Sequence, residues 1–493
     1  MAELSGIFFY ENVRFNHDIH LTAKERLGMM FETSIWRTTA MVEQARFTAD
    51  VVVLGGGPAG MCAAIAAARA GAKTILVEQG GSCGGMATQG LVGPFMTCYD
   101  RKGERMMIRG LFAEIVDRMV GKGGALHPSQ VRAGTPYTSW ITVGHDHVTP
   151  YEPECLKLVV DELLTEAGVQ VLYHTQFLRP ILSGNTLTAV EVASKAGVER
   201  IEGRIFIDGT GDGDVAARCG VPYEMGNEEL HQMQPATMFF QICNVDAAKL
   251  DADIAANRDH FYRKDGVNYR SFHWYVSKAR EAGDWTLNRV SLGLFRMPKD
   301  DEWCVNTTRI LNVDGTDNVS LTYAEIEGRR QADEVFRFLK KYVPGCENAK
   351  LRATASYVGI RETRHMRGDY RLTAEDLVAC KVPEDSIALA SNSVDIHGRF
   401  GPSSTQYIPI EGDYYGIPYR CMLPVGVENL LLAGRCVCAD SPAAAAIRVM
   451  PPAMAIGQAA GTAAAMAVKH GGTPRTVDAS ALRAELVKNG ACL

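Results

Sequence analysis

Glycines at positions 55, 57 and 60 and an acidic residue at 78 have the types and spacing of a nucleotide-binding turn. Gly55 allows a tight turn, Gly57 lets a pyrophosphate approach the backbone, and Gly60 lets a helix pack closely on a strand. Glu78 comes eighteen residues after Gly60, where an acidic side chain accepts hydrogen bonds from an adenosine ribose. A glycine turn with no ligand is the alternative. The spacing predicts that the chain binds a dinucleotide, NAD or FAD.

Two arginines three residues apart, Arg361 and Arg364, have the chemistry of an anion clamp. On a helix or turn this spacing puts both guanidinium groups on one face, where they can bind a carboxylate by paired hydrogen bonds. Structural ion pairs with Glu362, Glu375 or Asp376 are the alternative. The pair therefore predicts either a site for a substrate carboxylate or a local charge network.

Histidines in two short motifs are candidates for proton transfer. His397 follows Asp395 and precedes a loop at 398–404, and a histidine there can move a proton near neutral pH. A hydrogen-bonded loop histidine is the alternative. His145 and His147 could contact a substrate or a metal, but no third metal ligand can be assigned. We therefore expect no metal site and keep His397 as the proton-transfer candidate.

The elements that must position these residues alternate between strand and helix. Residues 50–54 form the strand before the glycine turn, 58–70 a helix of small side chains, and 73–77 the strand that leads to Glu78. Such a unit is typical of a doubly wound sheet. The further predicted elements are helices at 22–31, 152–167 and 324–342, strands at 169–173, 187–193, 200–207 and 430–433, and a final helix rich in Ala and Gly.

The order of these elements divides the chain into three parts. The nucleotide-binding pattern of the first part returns near the end, and a middle region richer in aromatic and charged residues lies between. We predict an N-terminal extension at 1–47 and a nucleotide-binding domain made of 48–226 and 416–493. An inserted substrate or capping domain is predicted at 227–415.

Further glycine-rich segments favour FAD over NAD. Residues 80–90 leave many backbone N–H groups free for the diphosphate and ribityl chain of a long dinucleotide. Residues 208–214 combine a strand end with three glycines and three aspartates, without the register of a calcium loop. They predict a second turn that contacts the cofactor. No second Gly-x-Gly-x-x-Gly unit is present for a nicotinamide nucleotide.

Two features of these segments leave alternatives open. A redox disulfide at Cys83 would need a partner five residues on, where the chain has Thr88, so Cys83 is either a packing residue or a thiol at the flavin edge. Residues 457–461 are predicted to begin a helix whose N-terminus stabilises negative charge on a reduced flavin. Simple packing of this helix against another one is the alternative.

Composition excludes several classes of protein. The 493 residues are 46% hydrophobic and carry a formal charge of −6 without a dense basic run, so nucleic acid is not expected as a partner. The charged N-terminus lacks the apolar core of a signal peptide, and residues 449–468 are too weakly apolar to span a bilayer. Thirteen cysteines without a Cys-x-x-Cys motif predict free thiols rather than a metal cluster. We therefore expect a cytoplasmic protein with no membrane span.

The motifs together resemble those of the FAD-dependent oxidoreductase family, related to the succinate dehydrogenase/fumarate reductase flavoprotein class. The resemblance covers about residues 48–490. Besides the glycine triplet and Glu78, the motifs that carry it are residues 84–95, 207–216, 359–364, 395–397, 417–420, 433–435 and 457–461. Two positions depart from the family pattern, since Ile447 replaces a small hydroxyl residue and Gly209 replaces alanine in an Ala-Thr-Gly motif.

The resemblance implies an α/β fold, with a Rossmann-like FAD-binding domain of the glutathione reductase type and an inserted α+β capping domain. It implies FAD as cofactor and leaves covalent attachment open. The residues expected at the cofactor are Gly55, Gly57, Pro58, Ala59, Gly60, Glu78, Gln79, Gly84, Gly85, Met86, Thr88, Gly90, Gly211, Asp212, Gly434, Arg435, Gln458, Ala459 and Gly461.

These observations predict an FAD-dependent oxidoreductase that transfers a hydride between flavin N5 and a carbon of a small organic substrate. His397 or an arginine would handle the proton, Arg361 or Arg364 would bind a carboxylate, and Arg448 would stabilise the anionic reduced flavin. An electron-transfer subunit of a larger complex and a flavin monooxygenase are the alternatives. The sequence leaves open the substrate, the reaction direction, the partner that exchanges electrons with the flavin, and whether the protein is a homo-oligomer.

Overall fold

The structure of the protein is a computed structural model, which describes residues 45–264, 267–398 and 405–493. The predicted extension up to residue 44, with its helix at 22–31, and most of the predicted loop at 398–404 lie outside the described residues. Residues Arg46–Leu493 form one compact unit.

The central feature of the fold is a seven-stranded sheet whose core strands are parallel. The strand β1 runs through three consecutive valines that are fully buried, as expected for a strand covered on both faces. Its neighbours are β2 and β6, and β6 pairs with β5 along its first half and with β19 along its second. The strands of this sheet are β1 (Phe47–Leu54), β2 (Thr74–Val77), β3 (Gln170–Leu172), β4 (Gln176–Ser183), β5 (Thr186–Ser194), β6 (Gly197–Asp208) and β19 (Leu430–Leu432).

Helices cover this sheet and complete the first hydrophobic core. Two of them, α1 (Pro58–Arg69) and α10 (Met450–His470), consist mainly of small buried side chains and lie against each other. Small side chains let two helix backbones approach closely, and the glycines of α10 lie directly against the α1 backbone. The other helices in this part of the chain are α2 (Leu111–Gly121), α3 (Pro153–Glu166), α4 (Asp214–Arg218), α9 (Ser441–Ile447) and α11 (Ala479–Lys488).

A second hydrophobic core surrounds a four-stranded antiparallel sheet. Its largest fully buried side chains include Trp303, Phe240, Phe272 and Phe338. The strands are β8 (Phe240–Cys243), β11 (Leu294–Arg296), β12 (Trp303–Val305) and β13 (Lys350–Thr354), and the helices are α5 (Ala247–Ala256), α6 (His273–Glu281) and α7 (Asn318–Tyr342).

Four two-stranded antiparallel pairs complete the described structure. The pair formed by β16 and β17 carries Asp395 and His397 on its first strand. The remaining elements are β7 (Tyr223–Met225), β9 (Tyr262–Lys264), β10 (Val267–Tyr269), β14 (Arg364–Met366), α8 (Ala374–Val378), β15 (Ser386–Ala390), β16 (Val394–His397), β17 (Thr405–Ile408) and β18 (Tyr415–Pro418).

The predicted fold class is confirmed, since a Rossmann-like sheet is joined to extra antiparallel sheets in a mixed α/β protein. The predicted helix at 152–167 and the paired strands at 187–193 and 200–207 are present within a few residues of their expected bounds. The helix that was expected to start near residue 457 begins at Met450 instead. Pro451 and Pro452 fit its first turn, where the missing N–H groups cost nothing. In the described part of the chain, every helix is too short or too polar to cross a membrane.

Candidate FAD and substrate site

The glycine turn joins β1 to α1 at the carboxyl end of the parallel sheet. Gly55 has a φ of +92°, and a Cβ there would lie 2.6 Å from the carbonyl oxygen of Gly209 at the end of β6. A Cβ at Gly60 would collide with the carbonyl oxygen of Gly55, whereas one at Gly57 would meet nothing within 4 Å. Gly55 and Gly60 therefore allow close packing, and Gly57 faces open space.

That open space lies in front of the uncapped N-terminus of α1. Gly57 is the N-cap residue of this helix, and no side chain caps its first turn. The N–H groups of a first helical turn have no partner within the helix and, with the helix dipole, attract an anion. The residues present therefore fit the diphosphate of FAD.

Glu78 is held rigidly beside this turn. Its carboxylate accepts a hydrogen bond from Gly56 N at 2.7 Å and another from Gly80 N at 2.6 Å. Burial raises the pKa of Glu78, and the two backbone donors act in the opposite direction. Gln89 also hydrogen-bonds this carboxylate, and since a carboxylate has about four acceptor positions, one remains for a ribose hydroxyl. A cleft of about 400 Å³, lined in part by Gln79, His174 and Tyr357, provides space for an adenosine group.

The glycine-rich segment after Glu78 folds back onto the glycine turn. Gly84 N donates to the carbonyl of Gly56 at 2.8 Å, and a Cβ at Gly85 would lie 3.0 Å from the Cα of Gly57. Thr88 donates its hydroxyl to the carbonyl of Cys83 at 2.7 Å. The segment therefore lines the open space at α1 with backbone, as a cofactor cradle requires.

Met86 and Gly90 shape the same segment from within. A Cβ at Gly90 would lie 2.8 Å from the Cα of Met86, and Val92 N donates to the carbonyl of Met86 at 2.9 Å. Their contacts are internal to the segment, so they fix its shape.

A second group of predicted cofactor residues meets at the ends of β6 and β19. Arg435 donates to the Asp212 carboxylate at 2.6 Å, and a Cβ at Gly211 would lie 2.9 Å from the Arg435 guanidinium carbon. A Cβ at Gly434 would lie 3.1 Å from the Cβ of Ala59 in the first turn of α1. The structure therefore brings these five residues together beside the glycine turn.

Gln458, Ala459 and Gly461 lie in the interior of α10 and not at its N-terminus. The Gln458 side chain accepts from Leu111 N at 2.9 Å and donates to the carbonyl of Asn489 at 3.3 Å. Cβ atoms at Gly457 and Gly461 would collide with α1 carbonyl oxygens, and Ala459 is fully buried. This segment packs helices together, which was the alternative to a helix terminus facing the flavin.

The chain belongs to the FAD dependent oxidoreductase family.

The family match covers residues 50–486, which is most of the chain. Membership of this family shows that the protein is an enzyme with FAD as its cofactor. No curated protein matches this oxidoreductase significantly. The p-nitrophenol 4-monooxygenase PnpA from Pseudomonas putida DLL-E4 is a similar solved structure, with 12% identity and a TM-score of 0.46 over 90% of this chain and 87% of that chain. A geranylgeranyl bacteriochlorophyll reductase-like protein from Thermoplasma acidophilum has 14% identity and a TM-score of 0.41 over 90% and 83%. The myxobacterial chondrochloren halogenase CndH has 12% identity and a TM-score of 0.45 over 89% and 78%.

The second feature of this FAD dependent oxidoreductase is a set of arginines around His397, which we call the arginine cluster. Two of its members, Arg361 and Arg448, were candidates from the sequence. Their positive charges lower the pKa of His397. Two arginines that the sequence did not single out, Arg289 and Arg309, act on His397 in the same way. A fifth arginine, Arg270, acts on Arg289, and these five residues together are the arginine cluster.

The surroundings of His397 favour its neutral imidazole form. Burial lowers its pKa well below the usual value, and the positive charges of Arg361, Arg448, Arg289 and Arg309 lower it further. Its backbone N–H donates to Gln234 Oε1 at 3.1 Å, and its Nε2 lies 3.6 Å from a carboxylate oxygen of Asp395. A neutral imidazole can accept a proton, so His397 is in the protonation state of a base.

Arg361 and Arg448 are held by different partners around Gln234. The Arg361 guanidinium donates to the carbonyl of Pro235 at 2.5 Å and to Thr237 Oγ1 at 2.6 Å. Arg448 donates weakly, at 3.4 Å, to Gln234 Oε1 and to the carbonyl of Asp395. Burial is the main cause that lowers the pKa of both arginines. An anion would therefore stabilise two partly buried positive charges.

Arg364 lies apart from the arginine cluster. It is in β14, where it donates to the Asp212 carbonyl and to the Asp214 carboxylate, both at 2.9 Å. Because residue 361 precedes the strand and residue 364 is in it, the two guanidinium groups do not share a helical face. The Arg364 ion pair is with Asp214, an acid that sequence spacing did not suggest.

Gln234 and Glu362 support the site; sequence reasoning missed Gln234 and considered Glu362 only as an ion-pair partner of the two arginines. The buried carboxylate of Glu362 accepts from Gln234 N at 2.9 Å and from His365 Nε2 at 3.1 Å, and Ser441 donates its hydroxyl to the same carboxylate. Gln234 and Glu362 are 128 residues apart. No local motif in the sequence could have paired them.

The remaining candidates have other surroundings. Cys83 is buried against Gly56 and Glu78, and burial raises its pKa to about 12, which supports a packing role. His147 stacks on Tyr99 and contacts Arg132, whereas the pKa of His145 is lowered to about 4 by burial and by Arg270. All thirteen cysteines are free thiols. Within the described ranges, no three metal-ligating side chains converge.

Proposed function

We propose that this enzyme transfers a hydride between FAD and a carbon of a small organic substrate that carries a carboxylate. The observation that carries the proposal is the position of His397 between two arginine contacts, since Arg448 donates to the carbonyl of Asp395 at 3.4 Å and Arg309 donates to the carbonyl of Gly398. Arg435 binds Asp212 beside the glycine turn, and Thr363, which follows Glu362 of the Gln234 network, donates to the same carboxylate at 2.7 Å. A proton acceptor and an anion site therefore adjoin the residues that fit FAD.

The residues that would hold FAD fall into three sets. The N-terminus of α1 and Gly57 fit the diphosphate, Glu78 fits a ribose, and Asp212 with Arg435 lies toward the arginine cluster. When bound, FAD supplies the acceptor or donor of two electrons and a hydride. The relation to the succinate dehydrogenase/fumarate reductase class remains a prediction.

His397 would accept the proton that an oxidised substrate loses. Its lowered pKa keeps it neutral before substrate binds, and Asp395 at 3.6 Å is placed to stabilise the imidazolium after transfer. Arg361 and Arg448 would bind the substrate carboxylate and orient the reacting carbon. This arrangement favours substrate oxidation, and in the reverse direction the same imidazolium would return the proton.

The test is anaerobic mixing of the purified, FAD-loaded enzyme with a panel of hydroxy acids, amino acids, saturated acids, alcohols and amines. Bleaching of the flavin by a carboxylate-bearing compound is the expected result. The variant His397→Asn should keep the bound flavin and slow its bleaching by about 10² to 10⁴, the usual contribution of a general base. His470→Asn, at the exposed end of α10, is the matched control and should react normally.

Two results would contradict the proposal. Bleaching by NADH or NADPH, with no effect of any acid, would favour a flavin monooxygenase. Unchanged kinetics of His397→Asn would remove this residue from proton transfer. The domain bounds, the homo-oligomer, the electron partner and the cytoplasmic location remain predictions.

A further inference from the structure

The side chain of Gln234 is fixed in the site by contacts at both of its ends. Its backbone N–H donates to the buried carboxylate of Glu362 at 2.9 Å, which anchors the main chain at this residue. Its Oε1 accepts from His397 N at 3.1 Å and from the Arg448 guanidinium at 3.4 Å. The amide group therefore lies between His397 and Arg448, which we have proposed for proton transfer and for binding of the carboxylate.

These contacts also decide which way the Gln234 amide faces. A backbone N–H and a guanidinium can only donate hydrogen bonds, so both need the oxygen of the amide and not its nitrogen. A flipped amide would place its own N–H groups against two other donors. The Nε2 of Gln234 therefore points away from His397 N and from Arg448.

The Nε2 of Gln234 is a buried donor that lacks an acceptor. Gln234 is 3% exposed, and among the described residues its Nε2 has no hydrogen-bond partner. Nearly all buried donors in folded proteins are paired, and leaving one unpaired is costly. This nitrogen therefore points to an acceptor atom that a ligand brings into the site.

A neighbouring unpaired atom has the same polarity. Arg448 Nε is also buried without a partner in the part of the chain that the structure describes, and it too is a donor. An ammonium group has only donors, so it would meet these N–H groups and add a further positive charge. Carboxylate and carbonyl oxygens accept hydrogen bonds, and a hydroxyl accepts while it also donates. The site therefore favours a substrate oxygen over an ammonium nitrogen.

The position of the amide indicates which substrate oxygen it binds. Gln234 contacts the main chain of His397 itself, so an oxygen held by its Nε2 lies beside the residue proposed to take the proton. Arg361 donates to the carbonyl of Pro235, the next residue, and in the proposed function it holds the carboxylate with Arg448. The amide therefore fits a second oxygen, on the carbon next to that carboxylate.

We propose that Gln234 Nε2 donates to this second oxygen, so that the substrate is a 2-hydroxy acid and the product a 2-oxo acid. A hydroxyl oxygen can accept from Gln234 while it donates its hydrogen to His397, the bond that proton transfer needs. In the oxidation the C–H bond of carbon 2 gives its hydride to FAD, the O–H bond gives its proton to His397, and the carbon–oxygen bond becomes double. This inference rests on the proposed function, because it names the substrate class of the same site.

The first measurement compares ligands that differ only at carbon 2. The unsubstituted, 2-oxo and 2-amino acids of three to six carbons are titrated by calorimetry into the FAD-loaded wild-type protein. The 2-oxo acid is used because it is the proposed product and leaves the oxidised flavin unchanged. In at least one series it should bind at least about fivefold more tightly than the unsubstituted acid, and the 2-amino acid should bind weakest. A smaller ratio in every series, or tightest binding of the amino acid, would overturn the proposal.

Variants at position 234 assign this preference to the amide nitrogen. Gln234→Glu keeps an oxygen for His397 N and Arg448 but replaces the donor by an acceptor, and the neighbouring arginine keeps the new carboxylate ionised. The 2-oxo acid should then bind more weakly than the unsubstituted acid. Gln234→Met has neither donor nor charge, so the two ligands should bind equally.

The quantity compared is the ratio of the two affinities within one variant, in which a general loss of carboxylate binding cancels. Gln170→Glu, at the exposed start of β3, adds the same charge away from the site and should keep the wild-type ratio. Circular dichroism checks that each variant is folded, and if one of the two is not, the other decides. A wild-type ratio in a folded position-234 variant would show that the nitrogen does not contact the second oxygen.

The outcomes separate this inference from the proposed function. If 2-oxo acids bind with the predicted dependence on residue 234 but no 2-hydroxy acid bleaches the flavin without oxygen, the oxygen contact stands and the hydride-transfer proposal fails. If a saturated acid or an amino acid bleaches the flavin and 2-hydroxy acids do not, the hydride-transfer proposal stands and the 2-hydroxy acid assignment fails.

Discussion

The substitution Gly57→Ala separates cofactor binding from folding. Gly57 has φ −64° and ψ −176°, an extended conformation that alanine adopts without strain. A Cβ there would meet nothing within 4 Å of the protein. Alanine is a poorer N-cap than glycine, but it also loses less backbone entropy on folding. The free energy of unfolding of the protein without FAD should therefore change by less than about 1 kcal/mol.

The same methyl group should weaken FAD binding strongly. If the diphosphate lies at the N-terminus of α1, the added Cβ occupies part of its space. Inserting a methyl group into a well-packed contact costs about 1–3 kcal/mol. At about 1.4 kcal/mol for each factor of ten, this predicts a dissociation constant for FAD raised about 5- to 150-fold.

The assay is titration of the FAD-free protein with FAD, followed by quenching of flavin fluorescence, alongside urea unfolding of the same sample. Gly121→Ala is a matched control, because Gly121 ends α2 and also faces open space. Its FAD affinity should equal that of the wild type. An FAD dissociation constant for Gly57→Ala within twofold of the wild-type value, in a folded protein, would refute the placement of the diphosphate.

Three further substitutions test the other parts of the structure. Gly461→Ala should lower the free energy of unfolding by about 1–3 kcal/mol, measured by urea unfolding, because its Cβ collides with the α1 backbone. Arg364→Ala should lower the free energy of unfolding by about 1–2 kcal/mol, a modest loss because its partner Asp214 is partly exposed. This variant should leave the substrate KM unchanged, whereas Arg361→Ala should raise KM. The pKa of His397 is lowered in the folded state, so below about pH 6.5 the unfolded state binds more protons than the folded state. The free energy of unfolding of the wild type should therefore fall as the pH drops through that range. His397→Asn should reduce that slope in urea midpoints measured between pH 7.5 and 5.5, and an unchanged slope would contradict the lowered pKa of His397.

The cofactor half of the site was predictable because its requirements are local. The tight turn, the open N-cap and the close helix contact each need a glycine, and all three glycines fall within six residues. The spacing of Gly55, Gly57 and Gly60 therefore predicts their geometry from the sequence alone. The strand and helix on either side follow from the valine run and the small side chains of α1. These residues need no distant partner to define their roles.

The substrate half was predictable only in part because its residues meet through tertiary structure. His397 and Arg361 were found through motifs, but Arg289, Arg309 and Gln234 stand alone in their segments. Spacing left both a carboxylate site and a local charge network open for Arg364, and its contact with Asp214 at the start of β14 fits the charge network. In the same way, the small residues of 457–461 indicate close helix packing whether or not a cofactor is near.

The charge surplus in the arginine cluster should couple substrate binding to stability. In the protein without a bound anion, the positive charges of these arginines lie close together. Burial, and after it repulsion from Arg309 and Arg270, lowers the pKa of Arg289 to about 9. A bound anion would neutralise arginines that come together only in the folded chain, so it should bind the folded state and not the unfolded chain. At a concentration one hundred times its dissociation constant, such a ligand stabilises the fold by about 2.7 kcal/mol. Heating the FAD-loaded enzyme with the preferred carboxylate substrate should therefore raise its unfolding temperature, and the rise should shrink in Arg289→Gln because one of the neutralised charges is gone.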